Sequence, residues 1–409
     1  MTTAGPATTD APGGTGAGRG EMAGMIASHS VVVCCGSGGA GKTTVAAALG
    51  VAGAAAGRRV CVVTIDPARR LADALGLESL GNLPERIEGP WPGELSAVML
   101  DAKGTFDELV ERYAGSAEQA LRIKGNSLYR NLTSALSGTQ EYMAMEKLYE
   151  LHTGGQFDLV VVDTPPTRNA LDFLDAPKRL YRFLENRVFR LLLMPTRAYM
   201  KAMTVATQVL LRTISKVAGA EIVEDAVAFF QAFEGMEQGF RERARRVEAL
   251  LADAGTAFVL VAAPREDSVS EARFFAERLA TSSVPISALV VNRMFPDFSR
   301  RPQPGEGSRA SASRGSRASA SRGSRPSAGG DVPPTAYGEL VRNLEEFAAV
   351  ALLEATYVAD LEDATAASAV VLVPLLDEDV HDLDGLDIVA RHLTGAPVLF
   401  RGGSDPPGQ

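Results

Sequence analysis

Apolar and often β-branched runs recur along the chain, at Val31–Cys35, Val60–Ile65, Leu95–Leu100, Asp158–Asp163, Phe258–Ala263, Ala288–Asn292 and Ala369–Pro374. Most are continuously apolar and do not alternate with polar residues, which is the pattern of strands buried on both faces of a parallel sheet. Segments with helical spacing lie between them. The pattern predicts an α/β fold built on a mostly parallel, doubly covered sheet.

Two helical stretches are longer than crossovers require. Phe106, Leu109, Val110 and Tyr113, then Leu128, Leu132 and Leu136, then Tyr142, Met145, Leu148 and Tyr149 keep one spacing. Tyr199, Met203, Ala206, Leu210 and Ile214, followed by Phe229, Phe233, Met236, Phe240, Val247 and Leu251, keep another. They predict a helical subdomain over 101–150 and 177–252, inserted in a sheet domain that takes 29–298 and 331–401. Between the two parts of that domain, 299–330 carries the repeat Ser308–Gly315 again at Ser316–Gly323 and has no apolar residues to bury, so it reads as a disordered Ser/Arg-rich insertion. Ala369–Pro374 lies beyond it and still needs a strand to pair with. Residues 1–28, rich in Gly, Thr, Ala and Pro, read as a disordered tail.

The first apolar run stops at glycine and restarts as an alanine-rich helix, and the loop between fits G-x-x-x-x-G-K-[ST]. In such a loop the amides of Gly38, Gly39, Ala40 and Gly41 turn inward around phosphate oxygens at a helix N-terminus. Lys42 reaches the β- and γ-phosphates, Thr43 offers a hydroxyl to Mg²⁺, and Thr44 completes the motif. Gly36–Gly41 also reads G-x-G-x-x-G with Asp66 ending the next strand, the fingerprint of a nicotinamide-dependent oxidoreductase. That fold has no need of Lys42-Thr43-Thr44, and the phosphate loop is the preferred reading.

Two strands end in carboxylates, Asp66 and Asp163. Ligands in open α/β sheets bind at the carboxyl ends of strands, so both acids belong beside the loop. Asp163 suits a Mg²⁺-associated carboxylate, and Asp66 suits the orientation of an attacking water.

Composition narrows the setting. A net charge of −9 carries no general nucleic-acid signature. Cys34, Cys35 and Cys61 are too few for a disulfide framework or a four-ligand zinc site, and read as buried strand cysteines. No window reaches the length of a membrane span, so a cytoplasmic protein is expected. The basic stretch from Pro177 to Gly219, with nine Lys or Arg and one Glu, would allow peripheral membrane contact at most and leaves a membrane-associated partitioning ATPase as a further reading.

Together GSGGAGKTT, TIDPARR, GTQEYMAMEKL, DTPPTR, LVVNR and VPLLDEDVHDLDGL resemble the arsenical-pump and tail-anchored-protein-targeting ATPase family, over about 30–298 and 331–400. The resemblance implies a deviant Walker A member of the P-loop NTPases, an ATP- and Mg²⁺-dependent dimer whose helical subdomain moves with nucleotide state and acts on a protein partner or cargo. It implies further that Gly38, Gly39, Gly41, Lys42, Thr43 and Thr44 bind phosphates and Mg²⁺, that Asp66 acts on water, that Asp163 belongs to a second switch, and that Asn292 recognises adenine with Pro374 and Leu375 lining the base.

Three departures from the family pattern are visible. Where the family carries a second lysine reaching the partner's phosphates, this chain has Ser37. The paired cysteines that share zinc between subunits and the cysteine triad of arsenite binding have no counterpart. The expected function is therefore a slowly hydrolysing dimeric ATPase, or a hydrolysis-poor regulatory subunit paired with a paralogous ATPase. Arg69, Arg70 and Arg168 are candidate substitutes for the lysine.

Overall fold

The computed structural model describes residues 15–66, 68, 70–127, 129–130, 139–165, 176, 225, 228–229, 231–281, 284–296 and 334–395. In chain order its elements are α1 (Thr15–Ser28), β1 (Val31–Gly36), α2 (Lys42–Ala55), β2 (Arg59–Thr64), α3 (Arg70–Leu75), β3 (Glu85–Ile87), β4 (Glu94–Met99), α4 (Ala102–Tyr113), α5 (Ala117–Gly125), α6 (Thr139–Thr153), β5 (Leu159–Asp163), α7 (Glu237–Leu251), β6 (Thr256–Ala262), α8 (Glu266–Thr281), β7 (Ala288–Met294), α9 (Pro334–Thr365), β8 (Ala369–Pro374) and α10 (Leu383–Thr394).

The eight strands form one sheet in the order β3-β4-β2-β5-β1-β6-β7-β8. Every neighbouring pair is parallel except β3 with β4. All seven anticipated strands are present, and β8 pairs with β7 across the 299–330 stretch. Continuous apolarity has the expected cause, because successive residues of a strand feed two different cores. Val32 and Cys34 join one cluster with α1, α2 and α10, whereas Val31 and Val33 join another with α4, α6 and α7. A third cluster sets α8 and α9 against β6 and β7.

Helix α2 lies close on the sheet because it presents glycine there. A Cβ at Gly50 would come within 2.5 Å of Val62 Cγ2, and one at Gly53 within 2.8 Å of Val60 Cγ2. That close contact anchors the helix whose N-terminus faces the phosphate loop.

Residues 15–28 differ from the expected tail. They form α1, with Met22, Met25 and Ile26 buried at helical spacing. Glycine and alanine, which made this stretch look disordered, are what let the helix approach: a Cβ at Gly18 would come within 2.2 Å of Val370 O on β8. Strand β3 is the other addition, a three-residue antiparallel edge whose Glu85 and Arg86 hide it from a hydrophobicity reading. Leu128, Leu132, Leu136, the run from Tyr199 to Ile214, the basic stretch from 177 to 219 and the insertion at 299–330 lie outside the described residues.

Helices α4, α6 and α7 enclose a buried ion pair. Glu146 is 1 % exposed, and the Arg243 Nε donates to both of its oxygens at 2.8 Å while Arg112 approaches at 3.6 Å. The Arg243 guanidinium also lies 3.9 Å from the centre of the Tyr149 ring. Removing one charge of a buried pair leaves the other uncompensated. Glu146→Gln is therefore expected to lower unfolding stability by about 3 kcal/mol, read by urea titration.

Candidate functional site

Strand β1 ends at Gly36 and α2 starts at Lys42, so the loop between them wraps the N-terminus of a helix. Gly41 caps that helix in the left-handed region, with φ 90°. A Cβ there would come within 2.2 Å of Asn292 Nδ2, so the position needs glycine both for its φ and for space. Lys42 is buried and its Nζ donates to the Ser37 carbonyl at 2.9 Å. Burial pushes this ammonium below the usual lysine range, with Asp163 and Cys35 pulling the other way.

Sheet register brings Asp163 to the loop. Its partner on β1 is Cys34, two residues before the loop begins. The Thr43 hydroxyl donates to Asp163 Oδ2 at 2.8 Å and the Thr64 hydroxyl donates to the same oxygen at 3.0 Å. Asp163 Oδ1 is buried without a hydrogen-bond partner. Burial, the largest influence, pushes the carboxyl up to about 6, against the two threonine hydroxyls and Lys42. A hard divalent cation suits this donor set: oxygen ligands only, one of them an unsatisfied carboxylate oxygen.

Asp66 stands two residues past the end of β2. Its Oδ1 accepts from Ala68 N at 3.0 Å, and its Oδ2 lies 3.4 Å from Arg70. Asn292, on β7, donates from Nδ2 to the Ala40 carbonyl at 2.9 Å and accepts from Arg293 N at 3.0 Å. Pro374 ends β8, and Leu375 N donates to Met294 O at 2.7 Å, which turns the chain over the site.

One cavity of about 660 Å³ gathers most of the anticipated residues. Gly38, Gly39, Gly41, Lys42, Thr43 and Thr44 line one side of it. Asp66, Asn292, Pro374 and Leu375 line it as well. Ala40 is buried and meets the site through the carbonyl held by Asn292. Asp163 reaches the cavity through Thr43. The volume falls in the range of ligand and cofactor sites.

Ser37 takes a different course from the loop glycines. It is 4 % exposed and its hydroxyl is hydrogen-bonded to that of Ser268, which accepts from Ala263 N at 2.9 Å. Ser268 carries no motif and lies 231 residues away, so only the fold brings it here. Thr64 was present in TIDPARR without a role and now supports Asp163. Of the candidate arginines, Arg70 is paired with Asp66, whereas Arg69 and Arg168 lie outside the described residues. The three cysteines are buried in strands as anticipated, and burial pushes the thiols of Cys35 and Cys61 up to about 12.

A parallel sheet with a glycine loop closing on a helix N-terminus, a lysine and a threonine at that helix start, and a carboxylate on the adjoining strand defines a P-loop nucleotide-binding protein. The anion-transporting ATPase family matches residues 29–304, most of the chain, and this chain belongs to that family, the ArsA ATPases. It is 32% identical to an uncharacterized Streptomyces coelicolor protein over 263 residues, 64% of this chain and 62% of that protein. It is 31% identical to the ATPase GET3 of Malassezia globosa over 156 residues, covering 37% of this chain and 44% of GET3. The match to the ATPase get3 of Aspergillus terreus is 30% over 152 residues, 36% of this chain and 43% of that protein. The chain thus spans about three-fifths of the Streptomyces relative and under half of each fungal ATPase. Among the described residues, no helix is long and apolar enough to cross a membrane.

Proposed function

We propose that the chain binds ATP with Mg²⁺ in the 660 Å³ cavity and hydrolyses it slowly as a cytoplasmic dimer, coupling nucleotide state to movement of its helical layer against a protein partner or cargo. The observation that carries this reading is the convergence of Lys42, Thr43 and Asp163 at the helix start, with the unpartnered Asp163 Oδ1 beside the Thr43 hydroxyl. When bound, Mg²⁺ would supply positive charge that offsets the charge developing on the phosphate. Thr43 and Asp163 would hold it. Gly38, Gly39, Ala40, Gly41 and Thr44 would receive the phosphates, and Lys42 would turn from the Ser37 carbonyl onto them. Asp66 would orient the attacking water. Asn292, which has one N–H and one lone pair beyond its present bonds, would pair with adenine between Pro374 and Leu375.

Movement of the helices is supported by one contact in particular. Gln140, in the first turn of α6, donates from Nε2 to the Ile65 carbonyl at 3.4 Å, immediately before Asp66. A shift of Asp66 toward a γ-phosphate would be felt at the end of that helix. Slow turnover is supported by Ser37, which is neutral, buried and occupied with Ser268. A phosphoryl-transfer site without its second cation loses about 10³ to 10⁵ in rate. The same observation favours a second reading, in which a paralogous ATPase supplies that cation to a heterodimer.

Phosphate release from ATP–Mg²⁺ by the purified chain tests this. Slow turnover is expected, rising at least about tenfold in Ser37→Lys and vanishing in Asp66→Asn. Brisk turnover by the unmodified chain, unchanged by Ser37→Lys, would exclude the slow-hydrolysis reading. A protein that co-purifies with Asp66→Asn in the presence of ATP would identify the partner.

A further inference from the structure

Arg293 sits at an irregularity that its neighbours do not share. Strands β7 and β8 stay in register to Asn292 opposite Val373, and the next pairing is Met294 opposite Pro374. Arg293 is the extra residue of this bulge, and its φ is 66°, in the left-handed region that non-glycine residues enter only at a cost in folding free energy. A bulge re-aims a side chain, and this one turns the arginine over the phosphate loop. Its Nη1 lies 3.5 Å from the Gly39 carbonyl, and the side chain is exposed and lines the cavity. The contact is long enough to be given up easily.

The other cations of the cavity are already engaged. Lys42 donates to the Ser37 carbonyl and Arg70 faces Asp66. Glu378 and Asp379 line the same cavity and add negative charge to it. Among the described residues Arg293 makes no ion pair, so its charge is available to an anionic ligand alongside that of Lys42. Its guanidinium reaches the Gly39 carbonyl of the glycine loop, and Pro374 and Leu375 line the same cavity.

We infer that Arg293 is a further nucleotide-binding residue, held in a strained conformation so that its guanidinium can move from the Gly39 carbonyl onto the polyphosphate. The inference rests on the proposal that a nucleotide occupies this cavity. A planar guanidinium offers a phosphate two parallel N–H donors, a stronger contact than the carbonyl it leaves. Strain in the free protein and grip in the complex then have one origin.

Arg293→Gly separates the two effects, because glycine relieves the positive φ and removes the cation. Calorimetric titration with ADP–Mg²⁺ should show affinity reduced about tenfold or more. The ligand-free thermal midpoint should rise by about 1–3 °C. Adenosine, read by displacement of a bound fluorescent ADP, should bind the variant and the parent equally. A lower midpoint together with weaker ADP binding would make Arg293 a structural residue and overturn the inference. Unchanged ADP affinity would also overturn it, and an equal loss for adenosine would place the guanidinium on the base instead. A parent chain that binds no ADP at all would overturn the nucleotide reading itself.

Discussion

Lys42→Ala is expected to lower the affinity for ATP–Mg²⁺ by about 10²- to 10³-fold, the loss of a charge-assisted phosphate contact made by a buried ammonium. Lys42 is 5 % exposed and its ammonium is destabilised by that burial, so the free protein holds the charge under tension that a bound polyphosphate would relieve. The variant should fold, since the side chain's hydrogen bond is to the carbonyl of Ser37 in the same loop and alanine continues α2. Calorimetric titration checks the affinity, and circular dichroism checks the fold. NAD binding that persists in Lys42→Ala while ATP binding is absent from the parent would return the dinucleotide reading of Gly36–Gly41 and Asp66.

Asp163→Asn is expected to act in opposite directions on stability and turnover. The folded carboxyl titrates at about 6 against an ordinary value of 3.8, chiefly because it is buried. Between those values the folded chain holds a proton that the unfolded chain has released, so this group favours folding most below about pH 4 and loses that contribution as pH rises through 6. A shift of that size is worth up to about 3 kcal/mol. In ligand-free protein with chelator present, Asp163→Asn should be about 1–3 kcal/mol more stable than the parent at pH 7.5 and close to equal at pH 4, since an asparagine oxygen still accepts from Thr43 and Thr64. ATP turnover should fall at least about 10²-fold. Urea unfolding across pH and a phosphate-release assay check the two halves. A variant less stable than the parent at pH 7.5 would mean that the carboxylate is satisfied in the free protein.

Such opposed effects are characteristic of functional sites, where strained or desolvated groups are held by a rigid surround. Here the surround is the sheet. Lys42, Asp163 and Arg293 each carry a different cost, respectively a buried ammonium, an unpartnered carboxylate oxygen and a positive φ, and all three meet at the loop.

The parts legible from the chain were those whose cause is local. A buried parallel strand must be apolar on both faces, so seven strands could be read directly. The loop glycines and Lys42-Thr43-Thr44 form a contiguous motif whose geometry follows from backbone freedom and a helix start. Helix α1 was missed because small residues carry little hydrophobic signal although they allow close packing, as Gly18 does against Val370. Strand β3 was missed because an edge strand of three residues is held by pairing with β4 and not by its own composition.

By itself the sequence determined the class of the fold, the glycine loop at Gly36–Thr44 ahead of a helix, and the two carboxylates at or just past the ends of β2 and β5. Each of these depends on neighbours within a few residues. Tertiary structure alone decided that Ser37 is tied to Ser268, that Thr64 shares Asp163 Oδ2 with Thr43, that Asn292 holds the Ala40 carbonyl, and that Arg293 is turned over Gly39. These contacts join strands far apart in the chain but adjacent in the sheet. Strand order and register place them, and no spacing along the chain encodes either.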